Sequence, residues 1–211
     1  MRRFTKTGTN RVGEPVYIVD DDSAVRDSLR MLLESAGYAV QGFDTARSFL
    51  SDADLDQGCL VVDIRMPAMS GLELQEELVR RNVALPIIVI TGHGDVPLAV
   101  RAMTAGAVDF IEKPFDDQRM LDSIARAFQI GSQKRSRAGE AQAARDLLAL
   151  LTPRENDVLA QLVKGQPNKI VAHELGISPR TVEIHRASIM DKLKARNLSD
   201  IVRTALAAED H

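Results

Sequence analysis

Three kinds of side chain in this sequence, at the ends of four apolar runs, are spaced as a phosphoryl-transfer site needs them. Carboxylates occur at Asp20-Asp21-Asp22 and at Asp63, a hydroxyl at Thr91 before Gly92, and an ammonium at Lys113 before Pro114. Each follows a short apolar, largely β-branched run, at residues 16–19, 60–62, 87–90 and 108–111. Crowded carboxylates repel one another unless a cation lies among them, and oxygen-only donors favour Mg²⁺, which keeps several waters. The metal would neutralise charge on an incoming phosphoryl group and leave one aspartate free as nucleophile. A lysine then offers a point charge to the phosphoryl oxygens, and a threonine hydroxyl offers a hydrogen bond. Asp63 stands alone at a strand end and is the candidate nucleophile; Asp20 and Asp21 are the candidate metal pair. One strand-terminal aspartate is more often a cap or a turn residue, and Asp22 is read that way, beside Ser23. Four such residues at four strand ends are much harder to obtain by accident.

The elements that must position these groups are legible in the periodicity. Residues 16–19 form a strand, and Ser23 caps a helix that runs to Ala36 and stops at Gly37. Val25, Leu29, Leu32, Leu33 and Ala36 repeat along it at helical spacing. Further strands follow at 38–43, 60–62, 87–90 and 108–111. Helices follow at a short stretch capped by Asp44, then at 72–81, 96–105 and 117–128. Five β-α units with near-continuous apolar strands make a parallel sheet covered on both faces, whose chemistry gathers beyond the carboxyl ends of the strands.

After residue 151 no strand-like run occurs. Thr152-Pro153-Arg154-Glu155 is a capping signature for a helix that carries Val158, Leu159, Leu162 and Val163 and ends at Gly165. A short helix with Ile170, Val171 and Leu175 ends at Gly176, and Ser178-Pro179 opens a third that runs to Lys194. Two helices joined by a tight glycine turn fit a helix-turn-helix. On the third helix Val182, Ile189, Met190 and Leu193 share one side, while Glu183, Ile184, Ala187, Ser188 and Asp191 lie broadly opposite. An outward Ile184 suits a thymine methyl. Lys169, Arg180, Thr181, His185, Arg186, Lys192 and Lys194 are within reach of phosphates. A helical bundle with merely solvated cations is the alternative reading of the same pattern. Residues 131–150 join the halves with linker composition, and their Ala-rich part is able to continue as helix.

Composition excludes several classes. The chain has 211 residues, 45% hydrophobic and 4% aromatic, and no apolar run of the ~20 residues that a bilayer span needs. No signal peptide follows the basic, polar segment 1–14, which reads as a flexible arm. The one cysteine, Cys59, lies in an apolar run and is read as a buried hydrophobe. A cytoplasmic, membrane-free protein is expected. Charge is uneven: residues 15–128 carry 10 Lys+Arg against 19 Asp+Glu, residues 152–211 carry 9 against 8. That small C-terminal excess does not argue nucleic-acid binding by itself.

Residues 15–130 resemble the receiver domain of bacterial response regulators. The resemblance rests on Val19-Asp20-Asp21, Asp63-Ile-Arg-Met-Pro67 with Gly71, Thr91-Gly92 and Lys113-Pro114-Phe115. The runs 91–97 and 107–115 resemble the FixJ-type subfamily in particular. The likeness implies a flavodoxin-like α/β fold with strand order 2-1-3-4-5. It also implies Mg²⁺ on Asp20, Asp21, Asp63 and the Arg65 backbone carbonyl, and phosphorylation of Asp63 by a histidine kinase. Thr91 and Lys113 would face the phosphoryl group, Phe110 would be the switch aromatic, and the bond before Pro114 would be cis. Phe110 departs from the commoner tyrosine and cannot hydrogen-bond. His93, inside the same run, is given no chemistry.

Residues 151–208 resemble the LuxR/NarL-type DNA-binding domain, an all-α helix-turn-helix. The likeness rests on Leu151-Thr-Pro-Arg-Glu155, Gly165, Asn168-Lys169-Ile170, Leu175-Gly-Ile-Ser178, Thr181 to Arg186 and Met190 to Leu193. It implies that the helix from Pro179 enters the major groove and that the last helix, 199–208, is a dimerisation face. Glu183 stands where some relatives carry a basic residue. The combined reading is a phosphorylation-dependent transcriptional regulator, not an enzyme beyond accepting a phosphoryl group and releasing it. Its partners would be a cognate histidine kinase, duplex DNA, a second copy when phosphorylated, and RNA polymerase. A phosphoaspartate hydrolase is the enzymatic rival, but no strong general acid or base can be named for it. A protein-binding adaptor is the other rival, and salt-sensitive binding to duplex DNA separates it.

Overall fold

A computed structural model describes residues 14–92 and 96–209. Segment 1–13 and His93 lie outside the described residues, and with them the expectations of a flexible arm and of a role-free His93. The chain divides into two units, Met1–Lys134 and Arg135–His211.

The first unit is built on strands β1 (Pro15–Val19), β2 (Ala39–Phe43), β3 (Cys59–Asp63), β4 (Ile87–Thr91) and β5 (Asp109–Glu112). All pair in parallel in the order β2-β1-β3-β4-β5, the order the resemblance implied. Strands β1, β3 and β4 are buried at every residue, as near-continuous Val and Ile runs require when both faces are covered. Alternation sorts their side chains into two layers. Tyr17, Val19, Leu60, Val62, Ile87 and Val89 pack with Phe49 of α2 (Ala46–Asp52), Leu74 and Leu78 of α3 (Gly71–Arg80) and Ala102 of α4 (Val96–Thr104). Val16, Ile18, Val61, Ile88, Ile90 and Ile111 pack on the other face with Leu29 and Leu33 of α1 (Ser23–Ser35) and with Met120 and Ile124 of α5 (Asp117–Leu148). Cys59 is buried in this second layer, and burial pushes its thiol pKa up, so it behaves as the small hydrophobe expected.

Two helix starts differ by one residue from the sequence reading. Asp22, not Ser23, caps α1 by accepting from Ala24 N at 2.8 Å, because Ser23 is already helical. Thr45, not Asp44, caps α2 by accepting from Ser48 N at 3.2 Å; Asp44 accepts from the Ser48 hydroxyl instead. The expected linker is helical as far as Leu148, since α5 runs on unbroken for 32 residues. Gly131 and Gly139 weaken it, but Ala, Arg, Gln and Lys around them are strong helix formers, and Gln142 bonds Asp146 one turn on.

The second unit contains α6 (Pro153–Val163), α7 (Asn168–Leu175), α8 (Pro179–Lys192) and α9 (Leu198–Glu209) around Leu151, Val158, Leu162, Val171, Val182, Ile189, Leu193 and Ile201. Gly176 turns the chain between α7 and α8 at φ 65°, a left-handed conformation that favours glycine. Ser178 then accepts from Thr181 N at 3.0 Å and starts α8.

Candidate functional site

The strand ends bring together most of the first site. Asp20 follows β1, Asp63 closes β3 and Thr91 closes β4, and all three are buried. Lys113, just beyond β5 and before a cis peptide to Pro114, reaches across with Nζ 2.7 Å from Asp20 Oδ2 and 2.7 Å from Asp63 Oδ1. Its backbone N–H donates to Thr91 O at 2.7 Å, which ties β5's exit to the end of β4. Asp63 Oδ2 accepts from Arg65 N at 2.6 Å, and Asp20 Oδ1 from Asp22 N at 2.9 Å. Arg26 holds the Asp20 carbonyl at 2.7 Å, a contact the sequence reading missed.

Burial pushes the Asp20 carboxyl above its usual range, and the bond from Lys113 only partly opposes it. Burial works to lower the Lys113 ammonium, yet its pKa is held up by hydrogen bonds and charge from both carboxylates. The two directions are compatible: burial prevails at Asp20, whereas at Lys113 the bonds and charge of two carboxylates outweigh it.

The backbone packs closely at this corner. A Cβ on Gly71 would lie 2.3 Å from the Asp63 carbonyl oxygen, so glycine is required there. The expected carboxylate trio is not assembled as such: among the described residues no three His, Cys, Asp or Glu stand together where they could hold a metal ion. Asp21 is exposed, and the assembled pair is Asp20 and Asp63 with the lysine between them. Asp21 and Arg65 line an adjoining cavity of about 660 Å³ with Met66, Pro67 and Ser70. Phe110 is half-buried and packs against the layer that holds α3 and α4. Asp109, next to it, accepts from Arg119 at 3.2 Å, Ser123 at 2.5 Å and Arg126 at 2.6 Å. Sequence reasoning missed this network; a carboxylate four residues before Lys113, with arginines seven apart on the next helix, was the available signal.

The second candidate surface is α8. Arg180, Glu183, Ile184 and Ala187 are exposed and Thr181 and His185 are half-exposed, with Lys169 exposed on α7. Ile184 is 60% exposed, as its angular position predicted. Three side chains of α8 have partners that their angular positions do not reveal. Lys192 does not stand free for a phosphate: Nζ lies 2.7 Å from Glu155 Oε2, and that carboxylate is only 5% exposed. Ser188 does not face outward, because its hydroxyl donates to Glu155 Oε1 at 2.6 Å. Arg186 donates to Asn168 Oδ1 at 2.6 Å and so joins α7 to α8. The angular reading treated Glu155 only as a cap, and this hid the carboxylate that claims one flank of α8. With Thr152 N donating as well, Glu155 is held down to about 2, chiefly by Lys192, then Ser188 and Thr152.

A sheet of this order with a buried Asp–Lys–Asp cluster at its carboxyl edge, followed by a helix-turn-helix unit, defines a response regulator. The family model for the response regulator receiver domain matches residues 16–125, and that for bacterial regulatory proteins of the luxR family matches residues 149–205. The chain is 50% identical over 199 residues to the transcriptional regulatory protein FixJ of Azorhizobium caulinodans, with 92% of each chain covered. It is 50% identical over 193 residues to FixJ of Rhizobium meliloti, covering 91% of this chain and 95% of that one. Among solved structures, the response regulator StyR aligns with a TM-score of 0.79 at 45% identity, covering 92% of this chain and 99% of the other. The chain belongs to the response regulators, in the group that includes FixJ, and is a phosphorylation-dependent transcriptional regulator. Its partner classes are a histidine kinase, through the receiver, and DNA, through the luxR-type unit. No helix among the described residues is long and apolar enough to cross a membrane.

Proposed function

We propose that Asp63 is the phosphoacceptor. The observation that carries this is the Lys113 ammonium, bonded to Asp63 Oδ1 and Asp20 Oδ2 at once. Asp63 Oδ1 attacks the phosphorus of a phosphohistidine; the P–N bond breaks, and the imidazole leaves and takes up a proton. Lys113 then turns to the new phosphoryl oxygens, where an ammonium is a strong partner. Thr91, buried at the next strand end, supplies a hydroxyl on the same edge.

The donor set suits Mg²⁺, since Asp20 and Asp63 are oxygen donors and Mg²⁺ commonly takes one or two carboxylates and completes its shell with water. Asp20 and Asp63 would hold it, with Asp21 and the Arg65 carbonyl beside them, and bound there it would neutralise phosphoryl charge. Phosphorylation shifts Thr91 and Phe110, remodels residues 96–111 and favours a dimer that presents two α8 helices to two half-sites. On α8 we assign base reading to Glu183, Ile184 and Ala187. Backbone holding falls to Lys169, Arg180, Thr181 and His185, with Arg186 and Lys192 acting through the fold of the domain. RNA polymerase is a further partner in this scheme, the setting is the cytoplasm, and the chain is not an enzyme in its own right.

Incubation with phosphoramidate and Mg²⁺ tests the centre of this reading. The wild-type chain should be labelled and Asp63→Asn should not. Stoichiometric labelling of Asp63→Asn moves the acceptor elsewhere.

A further inference from the structure

Helix α3 carries a glutamine where its packing face calls for hydrocarbon. Gln75 lies among Leu72, Leu74 and Leu78, all buried, and is itself 1% exposed. A methionine would fill the same volume. The amide instead makes a directed bond, Nε2 donating to the Ala102 carbonyl at 2.9 Å. That carbonyl lies in the last turns of α4, and Ala107 N also donates to it at 3.0 Å. Ala105 N and Gly106 N close the same end on Arg101 and Met103. The exposed contact of Arg101 with Glu76, at 3.3 Å, adds little between the two helices. Besides this bond, α4 rests on the core through Ala102 and the half-buried Leu98. Ala102 alone is buried in it, while Val96, Val100 and Met103 stand exposed along one stripe.

The other half of the amide is unanswered. Gln75 Oε1 is buried and accepts no hydrogen bond from any described residue. Gln75 lines a cleft of about 330 Å³ between α3 and α4, and Thr104 and Arg101, both carrying donors, line it too. A buried acceptor without a donor is costly. An arrangement of α4 that brings either donor to Oε1 recovers what is given up at Ala102, whose carbonyl keeps Ala107 N. With Nε2 answered in the resting arrangement and Oε1 answerable in a shifted one, each arrangement satisfies part of the same amide and the two lie close in free energy, which a switching element requires.

We propose that Gln75 is a positioning residue for the phosphorylation switch. Its amide holds the end of α4 in the resting place, and Oε1 takes a donor from Thr104 or Arg101 when α4 moves. The trigger rests on the Asp63 reading above; the catch is a property of the resting chain.

The test uses the full chain. Gln75→Met keeps length and volume but removes both polar atoms. Before phosphorylation, the amides of Ala105, Gly106 and Ala107 should exchange hydrogen about fivefold faster than in wild type, the effect of one net hydrogen bond. Amides of β3 and β4 should keep wild-type protection. The double variant Thr104→Val/Arg101→Met should leave resting exchange unchanged and shrink the change that phosphoramidate and Mg²⁺ produce at those three amides. Equal exchange in Gln75→Met and wild type overturns the proposal. So does a uniform rise across β3 and β4, which marks a packing defect. A labelled wild-type chain that shows no change at the end of α4 overturns the switch. If wild type takes no label at all, the Asp63 reading is what fails, and resting exchange of Gln75→Met still decides the catch.

Discussion

Each unit of this protein buries a carboxylate against a lysine at 2.7 Å, and the two arrangements serve opposite ends. In the receiver, one ammonium is shared by two carboxylates from separate strands, and burial drives Asp20 toward its neutral form. In the helical unit, one carboxylate collects donors from Thr152, Ser188 and Lys192 and is held ionised to about pH 2. The first cluster is short of positive charge and sits at an open edge, so a cation and an anionic group have something to gain by joining it. The second is saturated and asks for nothing. Distance alone does not separate a reactive ion pair from a structural one; the ratio of donors to carboxylates does.

Exchange of the two lysines breaks the symmetry most sharply. Lys113→Met should slow labelling of Asp63 by about 10²–10³, the loss expected for one preorganised donor, and leave the helical unit folded. Lys192→Met should label normally and instead weaken that unit. Glu155→Ala goes further, costing about 3 kcal/mol as a cap and several charged hydrogen bonds are lost together. Denaturant unfolding followed at α6–α9 amides measures it; an unchanged midpoint would mean that the carboxylate is not the hub.

Acid should act on the two clusters with opposite sign. Glu155 has its folded pKa lowered to about 2, so its contribution is complete above the ordinary glutamate value and is lost as pH falls from about 4.3 toward 2. Asp20 has its folded pKa raised, so ionisation costs stability and acid relieves that cost. Lys113, also raised, contributes fully below the ordinary lysine value and loses that contribution as pH climbs through its folded pKa. Hydrogen exchange across a pH series should show α6–α8 loosening first in acid, and Glu155→Gln should flatten that response.

The smallest effect belongs to Ile184. It is 60% exposed, so Ile184→Ala should leave stability alone while weakening a cognate DNA site by roughly 1–3 kcal/mol, with relaxed preference at one or two base pairs. Titration of cognate and scrambled duplexes reads it, and equal losses on both would place Ile184 outside the base-reading set.

Much of the receiver site was legible because its chemistry comes from strand ends, and apolar runs mark where strands end. Asp63, Thr91 and Lys113 need no partner to be recognised as strand-terminal, and strand order then brings them together. Lys192 was only partly legible, for the converse reason. Its angular position on α8 is right, but its role depends on Glu155, 37 residues earlier, and no periodicity records what lies opposite a flank. The same holds for Asp109, whose partners Arg119, Ser123 and Arg126 look like ordinary surface residues of α5 until the helix is docked. The length of α5 was obscured by Gly131 and Gly139, where local composition suggests a break and the summed propensity of their neighbours prevails.

The lysine that joins β1, β3 and β5 also sets a condition on folding. It closes contacts across 93 residues to Asp20 and 50 residues to Asp63, both far longer than any local turn or hairpin. Parallel pairing of this range is slow to form, because loop entropy is lost before the contacts that repay it exist. A nascent or partly folded receiver has its aspartates but not their lysine. Full competence to carry the signal is therefore expected only with the complete sheet, and a receiver whose last strand is not yet in place should take phosphate as slowly as Lys113→Met.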